Sequence, residues 1–305
     1  MLMKKNPDSG ATNSAHTPAW LNRRMRLCSL SCLMLWSVLG ASGCAVEQTD
    51  EFPGAQTGML DLPTMKEPSG ICFHPARKTL YIVDDGGDIC EATLDGRVLN
   101  QRHVRDADFE GITVDPASGM LYVAIEGEES ILEVHPVTLQ EKREFFIPRI
   151  WRGATVMKKG GQGIEDIAYV RDSANVQGGT FFVSNQNMSL DDPEDLSAVF
   201  QVELPLRRPY AAPDSGRLLR YFLPYATDIA ALYFDAESRL LFLVSDAEDR
   251  LFAFRLDGTR RGSWPLPGRE QEGFTVDADG NAYIAQDTGG VMTLRLDWRA
   301  LRMHR

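Results

Sequence analysis

The chain has 305 residues, 43% of them hydrophobic and 25% charged, and carries a formal net charge of −11. The hydrophobic share excludes a disordered chain, and the acidic balance argues against a nucleic-acid or anionic-surface partner. The charge is uneven: residues 1–43 hold Lys4, Lys5, Arg23, Arg24 and Arg26 against Asp8 alone, a local +4 that leaves −15 on the rest, a body suited to cations.

The first element is an address. A basic stretch, Asn22 to Arg26, precedes an apolar run from Leu27 to Leu39 and then Gly40-Ala41-Ser42-Gly43-Cys44. Charged, apolar and small segments in that order form a secretory signal, and the apolar run is short of the ~20 residues a spanning helix needs. The Cys after Ala-Ser-Gly resembles the end of a bacterial lipoprotein signal. Expected are a signal peptide over 1–43, a lipid on Cys44 that holds the chain to a membrane, and export to the cell envelope. The outer membrane is favoured because Ala45 is not an acidic retention residue. Cleavage near Gly43 without lipid and an uncleaved anchor are the alternatives. Residues 44–62, with Glu47, Asp50, Glu51, Pro53 and Gly54, read as a polar tether, and 63–305 as the folded body.

In the body one pattern returns five times: an apolar strand, a turn with Asp, Pro or Gly, and a second apolar strand. The copies are EPSGICFHPARKTLYIVDD, DFEGITVDPASGMLYVAIE, GIEDIAYVRDSANVQGGTFFVSNQ, DIAALYFDAESRLLFLVSD and EQEGFTVDADGNAYIAQD. Their apolar anchors are Ile71, Ile112, Ile167, Leu232 and Phe274, at intervals of 41, 55, 65 and 42 residues. Further strand-like runs follow, such as Ser130–Val134, Lys142–Ile147, Leu251–Phe254 and Arg261–Pro265. Four short strands in ~40–45 residues is the period of a β-propeller blade. The fold class is therefore all-β, a propeller of five blades of four antiparallel strands, with six blades as the alternative. The long intervals place insertions at 148–162, at Asn187–Ser197 and at Leu206–Leu218, expected on the faces of the disc. The fifth copy ends early. Its outer strand comes either from Thr57–Leu62 or from the tail, Leu296–Met303. Cys72 and Cys90 fall on non-adjacent strands of one repeat, which favours two buried thiols over a disulfide.

Aligned on the anchors, the repeats carry polar columns. Two positions before the anchor stand Ser69, Glu110, Glu165, Ala230 and Glu272; four before it stand Glu67, Asp108, Gly163, Asp228 and Glu270. Just past the second strand stand Asp85, Glu126, Gln186, Asp246 and Asp287. An antiparallel hairpin puts the end of its second strand beside the start of its first, so these columns should gather at one end of the central channel. Like charges that close retain protons or hold a cation. Oxygen donors without His or Cys favour Ca²⁺ or Mg²⁺ over zinc or copper.

The EPSG start, the DFEGITV and GIEDIAY strands and the QEGFTVDADGNAYIAQD ending resemble the SdiA-regulated (YjiK-like) family, over roughly Glu67 to Leu296. The resemblance implies a five-bladed propeller, distantly similar to NHL-repeat proteins, with a calcium site. By position, Glu110, Glu165 and Glu272 match the family's recurring Glu, Glu67 the Glu of its opening motif, and Asp228 an Asp before the fourth copy. The chain departs from the pattern at Ala230-Ala231, which replaces a small-Gly step, and in the enlarged loop after Asn185. Two functions are open. One is a binding module, with a protein or small-molecule ligand at the channel face. The other is a metal-dependent hydrolase of lactonase or phosphoesterase type, with Asp246 or Glu126 as base. The sequence holds no Gly-x-Ser-x-Gly elbow and no phosphate-cradling Gly-Lys-Ser/Thr loop, which tilts the reading toward binding.

Overall fold

Five four-stranded antiparallel blades follow one another in a computed structural model that describes residues 51–186, 195, 197–209 and 214–302. Blade I is built from Pro68–His74, Thr79–Asp84, Asp88–Ala92 and Val98–His103. Blade II holds Phe109–Val114, Leu121–Ile125, Ser130–Val134 and Glu141–Phe146, and blade III holds Ile164–Arg171, Gly179–Asn185, Ala198–Glu203 and Arg217–Phe222. Blade IV is Ile229–Asp235, Leu240–Ser245, Arg250–Arg255 and Arg260–Pro265. Blade V takes Gln271–Val276, Asn281–Gln286 and Val291–Leu296 from the C-terminal side and Gly54–Leu60 from the N-terminal side. The five-bladed propeller read from the repeats is the observed fold, and the six-bladed alternative is set aside.

The ring closes through Gly54–Leu60, which pairs antiparallel with Val291–Leu296 from Gly54 opposite Leu296 to Leu60 opposite Val291. The closing strand thus starts three residues before the expected Thr57, inside the stretch read as a tether. The tail turns instead into a short helix, Trp298–Arg302. Among the described residues, no helix is long and apolar enough to cross a membrane. Cys72 and Cys90 are buried free thiols. The signal, Cys44 and most of the insertion after Gln186 lie outside the described residues.

Burial explains why one blade cannot stand alone. Thr79–Asp84 (TLYIVD) is buried along its whole length, because its alternate side chains face two different neighbours. Tyr81 and Val83 pack against Phe109 and Leu121 of blade II, while Leu80 and Ile82 pack against Tyr283 and Val291 of blade V. Equivalent apolar clusters fill the other three interfaces, such as Tyr122 and Phe145 with Phe181 and Phe200 between II and III. A strand sandwiched on both faces reads as a continuous apolar run rather than an alternating one. The Asp residues that open the inner hairpin turns have a local cause: Asp115 accepts from Ala117 N (2.9 Å), Asp235 from Ser238 N (2.9 Å) and Asp277 from Asp279 N (2.9 Å).

One expected placement differs in part. Within the Leu206–Leu218 insertion, Asp214–Ser215 leaves the face and runs parallel to Phe145–Phe146, extending blade II at the outer rim. An outer strand leaves one row of backbone groups unpaired, and a passing loop satisfies it.

Every blade is also tied to the next near the axis by a hydrogen bond to main chain. Ser69 Oγ donates to Phe109 O (2.7 Å), and Thr113 Oγ accepts from Tyr169 N (3.2 Å). Asp166 Oδ2 accepts from Leu232 N (2.5 Å), Asp246 Oδ1 from Gln271 N (2.7 Å), and Thr275 Oγ from Phe73 N (2.9 Å).

Candidate functional site

The polar columns meet at one end of the channel. The main-chain N–H of Glu126 donates to Asp108 O (3.0 Å), that of Asp246 to Asp228 O (3.1 Å), and that of Asp287 to Glu270 O (3.0 Å). In these three blades the start of the inner strand is thereby stitched to the end of its partner. The inner strands share a further feature. In all five blades the pairing register slips at the position two before the anchor, occupied by Ser69, Glu110, Glu165, Ala230 and Glu272. A bulge leaves one residue unpaired and re-aims its side chain. The column that carries the glutamates is therefore a column of bulges.

Asp85, Asp108 and Glu110 bring one carboxylate oxygen each to within 4.8 Å of one another. Glu110 also feels Glu165 and Glu126, and burial followed by this repulsion pushes its carboxyl far above the usual range. Glu165 is 7% exposed and is raised in the same way, first by burial and then by Glu126, with which it shares a hydrogen bond. Glu272 is pushed up to about 8 by burial and by Asp246, Asp228, Asp287 and Asp85. Asp85 rises to about 6 through loss of hydration at the mouth, with Asp108, Asp287 and Glu67 adding to it. Glu110, Glu165 and Glu272 so placed keep protons near neutral pH unless a cation compensates them.

The remaining ring residues divide by what they touch. Glu126 Oε1 accepts from Gly163 N of blade III (3.0 Å), Gln186 Nε2 donates to Asp228 Oδ1 of blade IV (2.6 Å), and Asp246 braces Gln271 of blade V. The residue past each of these second strands thus reaches across to the next blade. These contacts engage one oxygen each of Glu126 and Asp246, the two residues expected to offer a base. Glu67 is exposed, and it and Asp228 stand outside the close trio. The insertions also converge on this end: Lys158 pairs with Asp195, and Gly160 N donates to Glu129 Oε1 (3.1 Å).

One axial residue escaped the sequence reading. The position just before the anchor is Gly70, Gly111, Ala231 and Gly273 in four blades, but Asp166 in blade III. The five inner strands crowd there. A Cβ added to Gly70 would sit 2.5 Å from Glu110 O, and one on Gly273 would sit 2.8 Å from Ile71 N. Asp166 uses the space that Gly111 leaves, its Oδ1 only 2.1 Å from where a Cβ on Gly111 would be. Burial drives its carboxyl well up, against the N–H groups of Leu232 and Ile167. Gly111→Ala is expected to displace Asp166 and lower stability by about 1–3 kcal/mol, the usual cost of overpacking. Urea unfolding measures this, and a variant as stable as the parent would contradict it.

The donor set fits a hard cation. It offers clustered carboxylate oxygens from two adjacent blades, with Glu165 and Glu272 nearby and no His or Cys among the trio.

No curated protein matches the chain. Among solved structures, a Myxococcus xanthus glutaminyl cyclase is 11% identical, with a TM-score of 0.54 over 80% of this chain and 96% of that one. A Xanthomonas campestris gluconolactonase is 15% identical (TM-score 0.45, 82% and 96% covered), and a streptogramin B lyase 11% (0.43, 79% and 97%). At such identities the likeness to the cyclase speaks to the propeller alone. The profile of the SdiA-regulated family matches residues 59–289, most of the chain and nearly all of the ring, so the protein belongs to the SdiA-regulated family.

Proposed function

We propose that the protein is an exported, lipid-anchored propeller that holds Ca²⁺ at its acidic mouth and serves as a binding module at the cell envelope. The observation that carries the cation reading is the convergence of Asp85, Asp108 and Glu110 within 4.8 Å, among carboxyls that burial and mutual repulsion would leave protonated. Asp85 belongs to blade I and the other two to blade II, so the bound cation would supply positive charge across a blade interface. Glu165 and Glu272 would extend the same negative field around the axis. The order of basic, apolar and small residues ahead of Cys44 supports export and a lipid anchor. Metabolic labelling with a palmitate analogue, lost in Cys44→Ser, tests the anchor; labelling that persists in the variant would contradict it.

The hydrolase reading draws less support. Glu126 and Asp246 each spend one carboxylate oxygen on neighbouring main chain, which fixes them in a bracing role. The cation reading is tested by melting EDTA-treated protein with and without excess Ca²⁺. At about 100 times Kd, a ligand adds ~2.7 kcal/mol, which for a domain of this size is roughly 5–10 °C in Tm. The same Tm with Ca²⁺, Mg²⁺ and EDTA would contradict it.

A further inference from the structure

The inner strands that begin in acid end in a cavity. At the end of the channel away from the carboxylates lies a space of about 580 Å³ whose walls come from all five blades. The five repeat anchors, Ile71, Ile112, Ile167, Leu232 and Phe274, form its floor, and half-buried Phe73, Val114 and Phe234 stand nearer the mouth. This size falls within the range of small-molecule pockets, about 300–1,000 Å³. The exposed edges of Phe73, Val114 and Phe234 hold water poorly and gain by taking up an apolar body.

The rim of this cavity is electrostatically one-sided. On the blade V side stand Asp277 and Asp279. On the blade IV side, Asp235 and Glu237 are both engaged by Arg302, whose guanidinium stacks on Trp298 at 4.6 Å. On the blade III side the wall carries arginines, with Asp115 beside them. Tyr169 and Arg171 line both this cavity and a second one of about 450 Å³, which Arg207 also lines. Arg143 in that second cavity is taken by Glu133, whereas Arg171 and Arg207 make no ion pair among the described residues. Burial and the neighbouring Asp115 carboxylate raise the Tyr169 hydroxyl, and both guanidinium groups lie close enough to oppose them.

We propose that this end of the channel is a second ligand site, which takes a small amphipathic organic anion with its apolar body in the channel and its carboxylate on Arg171 and Arg207. The acidic groups across the rim repel an anion, and on the blade III side the two arginines outnumber the one acid beside them, Asp115, so the head group is drawn there. The anchors themselves are almost wholly packed between blades, so the apolar body meets chiefly the half-buried Phe73, Val114 and Phe234 above them. The site is separate from the acidic mouth and stands whether or not a cation binds there.

Calorimetric titration with octanoate and with 1-octanol tests this, because the two share a chain and differ in the head group. Saturable one-to-one binding of octanoate is expected, alike in EDTA and in Ca²⁺. Arg171→Ala with Arg207→Ala should weaken octanoate about tenfold or more, the scale of lost charge-assisted hydrogen bonds, and leave 1-octanol unchanged. Val114→Phe, which fills the channel, should abolish both. If that variant does not fold, Ala236→Trp on the exposed turn at the mouth serves instead. No octanoate binding at millimolar concentration, equal losses for both ligands in the arginine variant, or full binding in the filled channel would each overturn the proposal.

Discussion

Replacing Glu110 and Glu165 together by Gln is expected to weaken Ca²⁺ binding by about 100-fold or more, and at the same time to raise the melting temperature of the metal-free protein. Loss of residues that merely orient metal ligands costs about 10–100-fold, so loss of charge within the acidic cluster should cost at least as much. The gain in stability follows from the other half of the physics. Both carboxyls are buried among like charges, and Gln keeps their shape while removing the repulsion and much of the desolvation cost. The opposite signs make the pair of measurements discriminating. A damaged ring would lose both affinity and metal-free stability. Calorimetry and thermal melting read the two quantities, and retained affinity, or a lower metal-free Tm, would contradict the assignment.

The metal-free protein should lose stability as pH rises from about 5 to 9. Glu272 titrates near 8 in the fold, against 4.5 for an ordinary Glu, and Glu110 and Glu165 are raised as well. Between those values the native state holds protons that the unfolded chain has released, so the slope of stability against pH is negative. Their contribution is complete below about pH 4.5 and is lost as pH climbs through the folded values. Glu91, Glu144 and Asp235 act in the opposite sense. Burial would raise them, but hydrogen bonds from Arg77, Arg105 and Arg302 respectively hold them below the usual carboxylate range. Their contribution is present above that range and lost as pH falls through the folded values. The metal-free protein is therefore expected to be most stable near pH 5. Saturating Ca²⁺ should flatten the alkaline limb, because the cation replaces the protons on ionised carboxylates. Melting curves across pH with EDTA or Ca²⁺ measure this, and a metal-free Tm that is flat or rising from pH 5 to 8 would contradict it.

The architecture was legible because propeller blades write their period into the chain. Strands such as TLYIVD and LLFLVS are continuous apolar runs, the Asp residues of the turns cap their own backbone, and five anchors in phase mean five inner strands. The gathering of Glu110, Glu165 and Glu272 with Asp85, Asp108 and Asp246 at one end of the channel followed from hairpin geometry alone. What escaped depends on packing across blades. The bulge that re-aims the glutamates is a feature of the pairing between two strands, and pattern along one strand does not report it. Asp166 was hidden for the same reason. Its signal, an acid where the other blades have Gly or Ala, makes sense only once the closeness of Gly111 is known. The bracing roles of Glu126, Gln186 and Asp246 require knowing which blade stands next. The rim strand Asp214–Ser215 pairs with a different blade from the one it follows, and no local signal encodes that choice. The cavity behind the anchors is a matter of volume, which residue type constrains only loosely.

The most direct test of the cation account is an anomalous-difference map from crystals of the Ca²⁺-loaded protein. The account predicts one strong peak at the axis, in contact with carboxylate oxygens of Asp85, Asp108 and Glu110. A map with no peak there, or with calcium held only by surface residues away from the channel, would contradict it.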